Sequence, residues 1–324
     1  MKPREAMIHA LERRAPIPGT KVPHFELVFF PTMESLGRVH PTHRVYSGWS
    51  PVWDSMTGKE KELHRRDMCD IYLQAAEKYA QDAILVSGCP WDVPEELPRQ
   101  LGILREMSGD RFFLAASIDP TFAIPDGNHM EDFAVRIAEE PQKLKSEAEA
   151  SLAIAIRKVE GLARQGFLDG VCLCSDYCFN SGPFLSPAMF SEFVAPYLAA
   201  FLQACRDARL YTIKHTDGNI LPILDQLIQS GPDALHSLDP QAGVDLAEVK
   251  RRVGDKVCLV GNVNCGRLQT GTDDEVVADC RRALRDGMPG GGYVYSTSNC
   301  IFTGMALERY ELMLSVRDFE GTYR

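Results

Sequence analysis

The amino-acid sequence predicts a (β/α)8 barrel, a fold of the α/β class. Apolar segments of five to seven residues alternate with longer helical patterns, and eight such segments occur within 324 residues. Near-continuous apolar runs of this length are typical of strands buried on both faces of a parallel sheet. An open doubly wound sheet would normally carry a Gly-x-Gly-x-x-Gly fingerprint after its first strand, and the loop after Phe30 lacks it. We therefore expect one barrel domain spanning residues 1–324.

The eight predicted strands follow a short N-terminal segment. Residues 1–23 are expected to form a helix over Lys2–Arg14, which caps the N-terminal end of the barrel, and a lead-in to the first strand. The strands are then, in chain order, His24–Phe30, Asp82–Gly88, Phe112–Ile118, Asp169–Ser175, Leu210–His215, Ala234–Leu238, Lys256–Asn262 and Gly292–Thr297. A strand followed by a helix, repeated eight times in about 300 residues, is the pattern of a (β/α)8 barrel.

Helices are predicted between these strands and after the last one, and two of them carry start signals. Ser186 followed by Pro187 is typical of an N-cap with proline at the first helical position. Thr272 and Glu275 have the spacing of a capping box, in which each side chain bonds the backbone N–H of the other residue. The predicted helices are Glu60–Tyr79, Pro141–Arg164, Ser186–Arg209, Thr272–Arg285 and Ala306–Arg317.

The composition excludes several classes of protein. A formal net charge of -10 argues against a sequence-independent grip on DNA or RNA, which needs a basic surface. The apolar runs stay well below the ~20 residues of a membrane span, and the N-terminus lacks the apolar segment of a secretory signal. Ten cysteines in such a chain are expected to be reduced thiols, core residues or metal ligands and not disulfides. We therefore expect a soluble, cytoplasmic protein, with an enzyme as the favoured class.

Polar residues follow nearly every predicted strand. In a barrel the active site lies at the carboxyl ends of the strands and in the loops that follow them. These positions carry groups able to coordinate, donate or accept, so the sequence indicates a site at this end. The candidates are Glu26, Arg38, Asp119, Asp176, His215, Asp217, Asn262, Asn264, Cys265, Asn299 and Cys300.

His215 and Asp217 are the strongest pair among these candidates. They stand two residues apart on an extended segment, so both side chains face the same way. One imidazole nitrogen and one carboxylate oxygen on a common face are suitable zinc ligands. An equally good interpretation has Asp217 capping a helix that begins near Asn219, while His215 bonds a backbone carbonyl. Asp176, just beyond a strand end, is a natural base, ligand or substrate clamp.

Two other features have both a functional and a structural interpretation. The loop Arg38–Arg44 is dense in positive charge, and it is either a contact for a carboxylate or phosphate or a solvated surface loop. Asn262 and Asn264 either orient a polar substrate through their amides or satisfy a turn with their side chains. The residues alone do not favour one interpretation over the other.

Four segments of the second half resemble motifs of one known superfamily. They are Ser181–Tyr197 (SGPFLSPAMFSEFVAPY), Lys214–Gly218 (KHTDG), Leu259–Asn264 (LVGNVN) and Gly291–Asn299 (GGYVYSTSN). In order and spacing they resemble the uroporphyrinogen decarboxylase superfamily from about Asp169 to the C-terminus. The resemblance implies a (β/α)8 barrel, in agreement with the strand pattern, and one of two chemistries.

The first chemistry is decarboxylation without a cofactor. The resemblance implies that arginines of an N-terminal segment would hold the acidic side chains of a tetrapyrrole. The first predicted strand lacks the paired arginines of that segment, and Arg38 and Arg44 compensate only in part. Burying a substrate carboxylate without a partner costs on the order of several kcal/mol. This branch is therefore the weaker expectation.

The second chemistry is methyl transfer to or from the cobalt of a corrinoid, often with a zinc that activates the acceptor thiol. The His-x-Cys motif of that branch corresponds to His215 and Asp217, and its later cysteine falls nearest Asn299, beside Cys300. Oxygen donors in place of thiolates make a metal more Lewis acidic. The resemblance implies zinc as a candidate ion. The ligands would be His215 and Asp217 with Glu26 or Asp176 as a third, and Cys265 and Cys300 are less favoured.

We therefore predict a corrinoid-linked methyltransferase whose corrinoid is bound transiently or supplied by a partner protein. Methoxy compounds, methylamines and pterins remain open as methyl donors or acceptors, whereas a coenzyme-type thiol is disfavoured. Catalysis is assigned to Asp176, His215 and Asp217, and substrate binding to Glu26, Arg38, Asp119, Asn262, Asn264 and Asn299.

Two other hypotheses remain open. One is a cofactor-independent decarboxylase of a tetrapyrrole or smaller acid, with Asp176 or Asp119 as the charged partner of a protonated intermediate. The other is a non-catalytic barrel that carries a corrinoid or porphyrin. A homodimer is one oligomeric state compatible with all three hypotheses.

Overall fold

Seven parallel strands form one curled sheet in the computed structural model, which describes residues 1–45, 49–90 and 93–324 without the side chains of residues 44, 45 and 49–51. The strands in chain order are β1 (Ala83–Val86), β2 (Phe113–Ser117), β3 (Gly170–Leu173), β4 (Cys178–Phe179), β5 (Gly182–Pro183), β6 (Tyr211–Thr216), β7 (Ala234–Ser237), β8 (Cys258–Val260) and β9 (Tyr293–Val294). The sheet order is β1-β2-β3-β6-β7-β8-β9. The short strands β4 and β5 pair antiparallel outside this sheet and were not predicted.

The eighth position of the barrel is filled by residues 24–30. This segment makes isolated parallel bridges, His24 with Tyr295 and Phe29 with Ile301, beyond the end of β9. On its other side the Asp82 amide donates to the His24 carbonyl at 2.7 Å, which links it to β1. The prediction of a regular strand over His24–Phe30 was therefore wrong in detail. The Asp82 carboxylate accepts from the His24 amide at 2.7 Å, so a side chain replaces a strand neighbour there.

Fourteen α-helices occur in the described part of the chain, and most of them form the outer layer. In chain order they are α1 (Pro3–Leu11), α2 (Thr32–Leu36), α3 (Trp49–Ser55), α4 (Gly58–Lys78), α5 (Glu96–Ser108), α6 (Met130–Glu139), α7 (Pro141–Gln165), α8 (Pro187–Phe193), α9 (Ala195–Asp207), α10 (Leu224–Gln229), α11 (Leu246–Val253), α12 (Cys265–Thr270), α13 (Asp273–Gly287) and α14 (Leu307–Glu320).

Both predicted helix starts are present. Ser186 Oγ accepts from the Met189 amide at 3.3 Å at the start of α8. The Thr272 amide donates to the Glu275 carboxylate at 2.8 Å and Thr272 Oγ accepts from the Glu275 amide at 3.3 Å, which is the predicted capping box of α13.

The single helix predicted from Ser186 towards Arg209 is instead two helices, α8 and α9. Pro196 lies in the first turn of α9, and the two helix axes are bent by 49° at Val194. Proline has no backbone N–H and its ring crowds the preceding turn, so a helix breaks there. Among the described residues no single helix has the length and apolar composition to span a membrane. The pair α8–α9 reaches both criteria only when the two helices are taken together.

The barrel has an inner core and an outer one. Alternate side chains of the strands, among them Ala115, Ile213 and Val260, fill the inside together with Met7, Ala10 and Leu11 of α1. The intervening residues of the same strands pack outward against the helices. The helix α1 therefore fills the N-terminal end of the barrel interior, where a cap was predicted, and the carboxyl end carries the polar residues.

Candidate functional site

The strand β6 brings His215 and Asp217 to the inner side of the barrel. Ile213 lies in the inner core, and side chains alternate along a strand, so His215 and Asp217 share the inner face. Asp176 reaches the same place from the loop that follows β3. Together the three residues offer one ligand atom each, and these atoms lie within 4.8 Å of one another.

The three side chains differ in solvent exposure, and the cluster extends from the core to the surface. Nε2 of His215 lies 3.7 Å from Asp176 Oδ1 and 3.7 Å from Asp217 Oδ1. The side chain of His215 is 5% exposed, that of Asp217 28% and that of Asp176 44%. The imidazole is therefore at the bottom and the carboxylates line the opening.

Hydrogen bonds from three other segments hold Asp217. Ser237 Oγ, at the end of β7, donates to Asp217 Oδ1 at 2.7 Å, and Asn299 Nδ2 donates to Asp217 Oδ2. The Asp217 amide donates to Asp176 Oδ1 at 2.8 Å. In the described part of the chain Asp176 Oδ2 accepts no hydrogen bond, so it is available to a ligand. Asn299, predicted to bind substrate, acts here by orienting Asp217.

His236 is a site residue that the sequence reasoning did not single out. It lies on β7 directly opposite His215 in the strand register. Nδ1 of His236 is 2.7 Å from Nδ1 of His215, and both rings are buried. The available signal was that each histidine stands near the end of its strand. The register between β6 and β7, which brings them into contact, is not visible in either strand alone.

Burial dominates the protonation of the cluster. It lowers the pKa of His215 to about 3, with the nearby Lys214 charge acting in the same direction. Burial also lowers the pKa of His236, so both imidazoles are neutral at neutral pH. Burial raises the pKa of Asp217 to about 7, opposed by the Ser237 hydrogen bond and assisted by the charges of Asp176 and Asp239.

The cluster fits a divalent cation. A neutral imidazole and two carboxylates supply one nitrogen and two oxygen donors. Catalytic zinc sites use three protein ligands and leave a fourth position open. Two carboxylates close together without a cation between them repel each other, which is part of what raises the pKa of Asp217. The donor chemistry of Asp176, His215 and Asp217 is therefore that of an open metal site.

Glu26, the other candidate for third ligand, lies outside this cluster. It is buried, it accepts from Thr297 Oγ1 at 2.5 Å and from the Thr297 amide, and its Oε1 lies 3.1 Å from His24 Nε2. Both of its oxygens are therefore in contact with other side chains of the protein. Of the two carboxylates that the sequence proposed as a third ligand, the structure places Asp176 beside His215 and Asp217.

Asp119 and Arg38 are both engaged by other side chains. Asp119 Oδ2 accepts from Lys214 Nζ at 2.8 Å and from the Ser175 amide, while Oδ1 accepts from Thr121. Arg38 forms ion pairs of 2.6 Å with both Asp67 and Asp70 on α4. The side chain of Arg44 lies outside the described residues.

Asn262 and Asn264 have structural partners, as the turn interpretation expected. Asn264 Oδ1 accepts from the amides of Gly266 and Arg267 and thereby caps α12. Asn262 Nδ2 donates to the Leu238 carbonyl at 2.6 Å, and its Oδ1 accepts from Arg282. Three of the four polar side-chain atoms of these two residues therefore have partners within the protein.

The cysteines do not join the cluster. All ten are free thiols. Cys265 donates to the carbonyl of Cys300 at 3.8 Å. Burial raises the pKa of Cys265 to about 11 and that of Cys300 to about 12. The group of possible metal ligands at the barrel opening is Asp176, His215 and Asp217, without either thiol, among the residues that the structure describes.

Comparison with known proteins gives a family match and relatives of two activities. The family model of uroporphyrinogen decarboxylase (URO-D) matches residues 125–318, which is more than half of the chain. A uroporphyrinogen decarboxylase from Pseudoalteromonas translucida is 26% identical over 153 residues, 44% of this chain and 40% of that protein. The methylcobamide:CoM methyltransferase MtaA from Methanosarcina barkeri is 28% identical over 182 residues, 55% of this chain and 48% of that protein. The matches thus span less than half the length of these relatives.

A solved structure of similar fold covers nearly the whole chain. A methyltransferase from Methanosarcina mazei superposes with a TM-score of 0.74, over 98% of this chain and 99% of that one. The sequences are 17% identical, so the superposition establishes the fold. The predicted (β/α)8 barrel is confirmed.

Proposed function

The chain belongs to the uroporphyrinogen decarboxylase family. On that premise we propose that it is a metal-dependent methyltransferase, which transfers a methyl group to or from a corrinoid. The observation that carries this proposal is the cluster of Asp176, His215 and Asp217 at the carboxyl end of the barrel. The methyltransferase relative and the methyltransferase of similar fold support the class of reaction.

The residues of the cluster would hold zinc or a similar divalent ion. Such an ion supplies Lewis acidity, which lowers the pKa of a bound hydroxyl or amine and makes it a better nucleophile or leaving group. His215 would bind through Nε2 and Asp217 through a carboxylate oxygen that Ser237 and Asn299 already orient. Asp176, the most exposed of the three, would complete the set and face the substrate.

The donor set also bears on the methyl donor or acceptor. Oxygen and nitrogen ligands suit hard partners, whereas thiolate ligands suit soft ones. No thiol is present among the three residues of the cluster. We therefore propose that the substrate presents oxygen or nitrogen at the reacting position, as in a methoxy compound, a methylamine or a pterin, and that the corrinoid comes from a partner protein or binds transiently.

Decarboxylation remains the second candidate because one relative of comparable similarity is a uroporphyrinogen decarboxylase. Two observations weaken it. Arg38 is paired with Asp67 and Asp70 and is not available to a substrate carboxylate without breaking those pairs. Asp119, one of its two proposed charged partners, is bound by Lys214. Of the two carboxylates proposed as the charged partner of a protonated intermediate, Asp176 therefore fits this role better than Asp119.

The first experiment measures metal content and methyl transfer on the same preparations. Wild type is expected to bind about one zinc per chain, and His215→Ala is expected to lose it. Methylcobalamin is then offered with phenol, amine, pterin and thiol acceptors, and its visible spectrum is followed. His129→Ala, which alters an exposed histidine paired with Asp126, serves as the control and should behave as wild type.

Absence of metal together with absence of turnover for every acceptor would overturn the proposal. A decrease in the mass of uroporphyrinogen that corresponds to loss of CO2 would show that the protein is a decarboxylase and not a methyltransferase. Tight corrinoid or porphyrin binding without turnover of either substrate would replace it with a carrier.

A further inference from the structure

Among the described residues His236 forms no hydrogen bond with Asp176 or Asp217, but it contacts His215, which lies beside both carboxylates. The contact between the two imidazoles is 2.7 Å from Nδ1 to Nδ1. A distance this short requires one hydrogen atom between the two nitrogens, so one ring donates and the other accepts. The direction of this hydrogen bond decides the tautomer of His215.

The other nitrogen of His236 settles the direction. Nε2 of His236 lies 3.2 Å from the carbonyl oxygen of Thr297, which can only accept. His236 therefore carries its hydrogen on Nε2. In a neutral ring this leaves Nδ1 as an acceptor, so Nδ1 of His215 is the donor.

Thr297 is in turn held in place by a buried carboxylate. Glu26 Oε2 accepts from Thr297 Oγ1 at 2.5 Å and from the Thr297 amide at 3.3 Å. The side chain of Glu26 is itself fully buried and bound to His24. The carbonyl that orients His236 thus belongs to a residue with little freedom to move.

We propose that His236, anchored through Thr297 to Glu26, is a positioning residue that keeps His215 protonated on Nδ1 and leaves the Nε2 lone pair facing Asp176 and Asp217. This inference rests on the proposed metal site, because a ligating imidazole needs an unprotonated nitrogen directed at the ion. It also gives Glu26 a role that differs from metal ligation. The same arrangement explains how Nε2 of His215 stays unprotonated 3.7 Å from two carboxylates, since the one N–H of the neutral ring is on Nδ1 and donates to His236.

The test reads the tautomer directly in metal-free protein. The full chain is labelled with 15N-histidine and treated with a chelator, and two-bond proton–nitrogen correlations are recorded. The chain has eight histidines, and the signals of His215 are identified by their loss in His215→Gln. We expect protonated Nδ1 and unprotonated Nε2 in wild type.

Two substitutions of His236 then separate hydrogen bonding from packing. His236→Asn keeps a carbonyl oxygen near the position of Nδ1, and His236→Leu removes the acceptor. His236→Leu should move the proton of His215 to Nε2, where the carboxylates attract it, and weaken zinc and cobalt(II) binding by roughly 10- to 100-fold. His236→Asn should retain the wild-type tautomer and most of the affinity, with His129→Ala as an unchanged control.

The outcomes distinguish this inference from the proposed function. A wild-type His215 protonated on Nε2 would overturn the inference, and so would an unchanged tautomer and affinity in His236→Leu. If His236→Leu fails to fold, the wild-type and His236→Asn spectra still decide the tautomer. If the tautomer behaves as expected but no variant binds metal, the inference about His215 holds and the proposed metal-dependent function fails.

Discussion

Lys214 and His215 are adjacent on β6 and their side chains lie on opposite sides of the strand. His215 faces the barrel interior, where it contacts His236. Lys214 is fully buried on the other side, with Nζ 2.8 Å from Asp119 Oδ2 and 2.9 Å from the Ser175 carbonyl. One short strand thus supplies His215 to the candidate site and Lys214 to the loops that follow β2 and β3, where it binds Asp119 and Ser175.

The donor set of the proposed metal site can be read from the spectrum of the cobalt(II) protein. Asp176, His215 and Asp217 contain no sulfur, so we expect d–d absorption without the intense thiolate-to-cobalt charge-transfer bands of cysteine ligation. Asp176→Ala and Asp217→Ala should each weaken binding, while Cys265→Ser and Cys300→Ser leave the spectrum unchanged. A charge-transfer band that disappears in either cysteine variant would show that thiolate is a ligand.

Asn299 is expected to affect metal affinity through Asp217, which it orients by a hydrogen bond. Loss of such a support to a ligand typically weakens metal binding by roughly 10- to 100-fold. Asn299→Ala should show this loss when zinc is titrated against a competing chelator. Asn264→Ala is the matched control, since Asn264 caps α12. It should lower the free energy of unfolding by about 1 kcal/mol and leave zinc affinity intact. Equal zinc affinity in the two variants would argue against the orienting role.

Removing the charge of Lys214 should destabilise the fold. Lys214→Met leaves the carboxylate of Asp119 buried without its cation, which typically costs about 3–5 kcal/mol. Denaturant unfolding of Lys214→Met should show this loss, and Lys214→Met combined with Asp119→Asn should recover part of it. A loss in the single variant that the double variant does not reduce would mean that the pair contributes little beyond packing.

The same ion pair predicts how stability depends on pH in acid. Lys214 and other donors lower the pKa of Asp119 below its ordinary value of 3.8 against the opposing effect of burial. A lowered pKa means that the unfolded chain binds the proton first. The contribution of Asp119 is therefore complete above its ordinary pKa and is lost as pH falls through the lowered one. The difference in unfolding free energy between wild type and the double variant should shrink below about pH 4. A difference that is constant with pH would contradict the assignment.

The fold was predictable because its signals are local. Apolar runs and capping residues belong to short segments, and seven of the eight predicted strands appear as regular strands. The exception, His24–Phe30, failed because the Asp82 side chain takes the hydrogen bond of the His24 amide. The long helix after Ser186 was divided at Val194, and Pro196 was already visible in the sequence as the reason.

The candidate site was predictable only in part. The two-residue periodicity of a strand placed His215 and Asp217 on one face, and both are in the cluster. The choice of Asp176 over Glu26 depended on where a loop returns, and neither residue carries a local mark of it. For Asn262 and Asn264 the sequence left a substrate role and a turn role open, because amides look alike in sequence whether they are free or bonded to neighbouring groups.

The sequence by itself therefore determined the repeating strands and helices, the helix starts and the shared direction of His215 and Asp217, because each depends on residues within a few positions of one another. Only the tertiary structure decided which groups meet. Asp217 is 41 residues from Asp176 and 82 from Asn299, and His215 is 21 residues from His236. Such contacts are set by the register between strands and by the paths of loops, and these follow from the packing of the whole barrel.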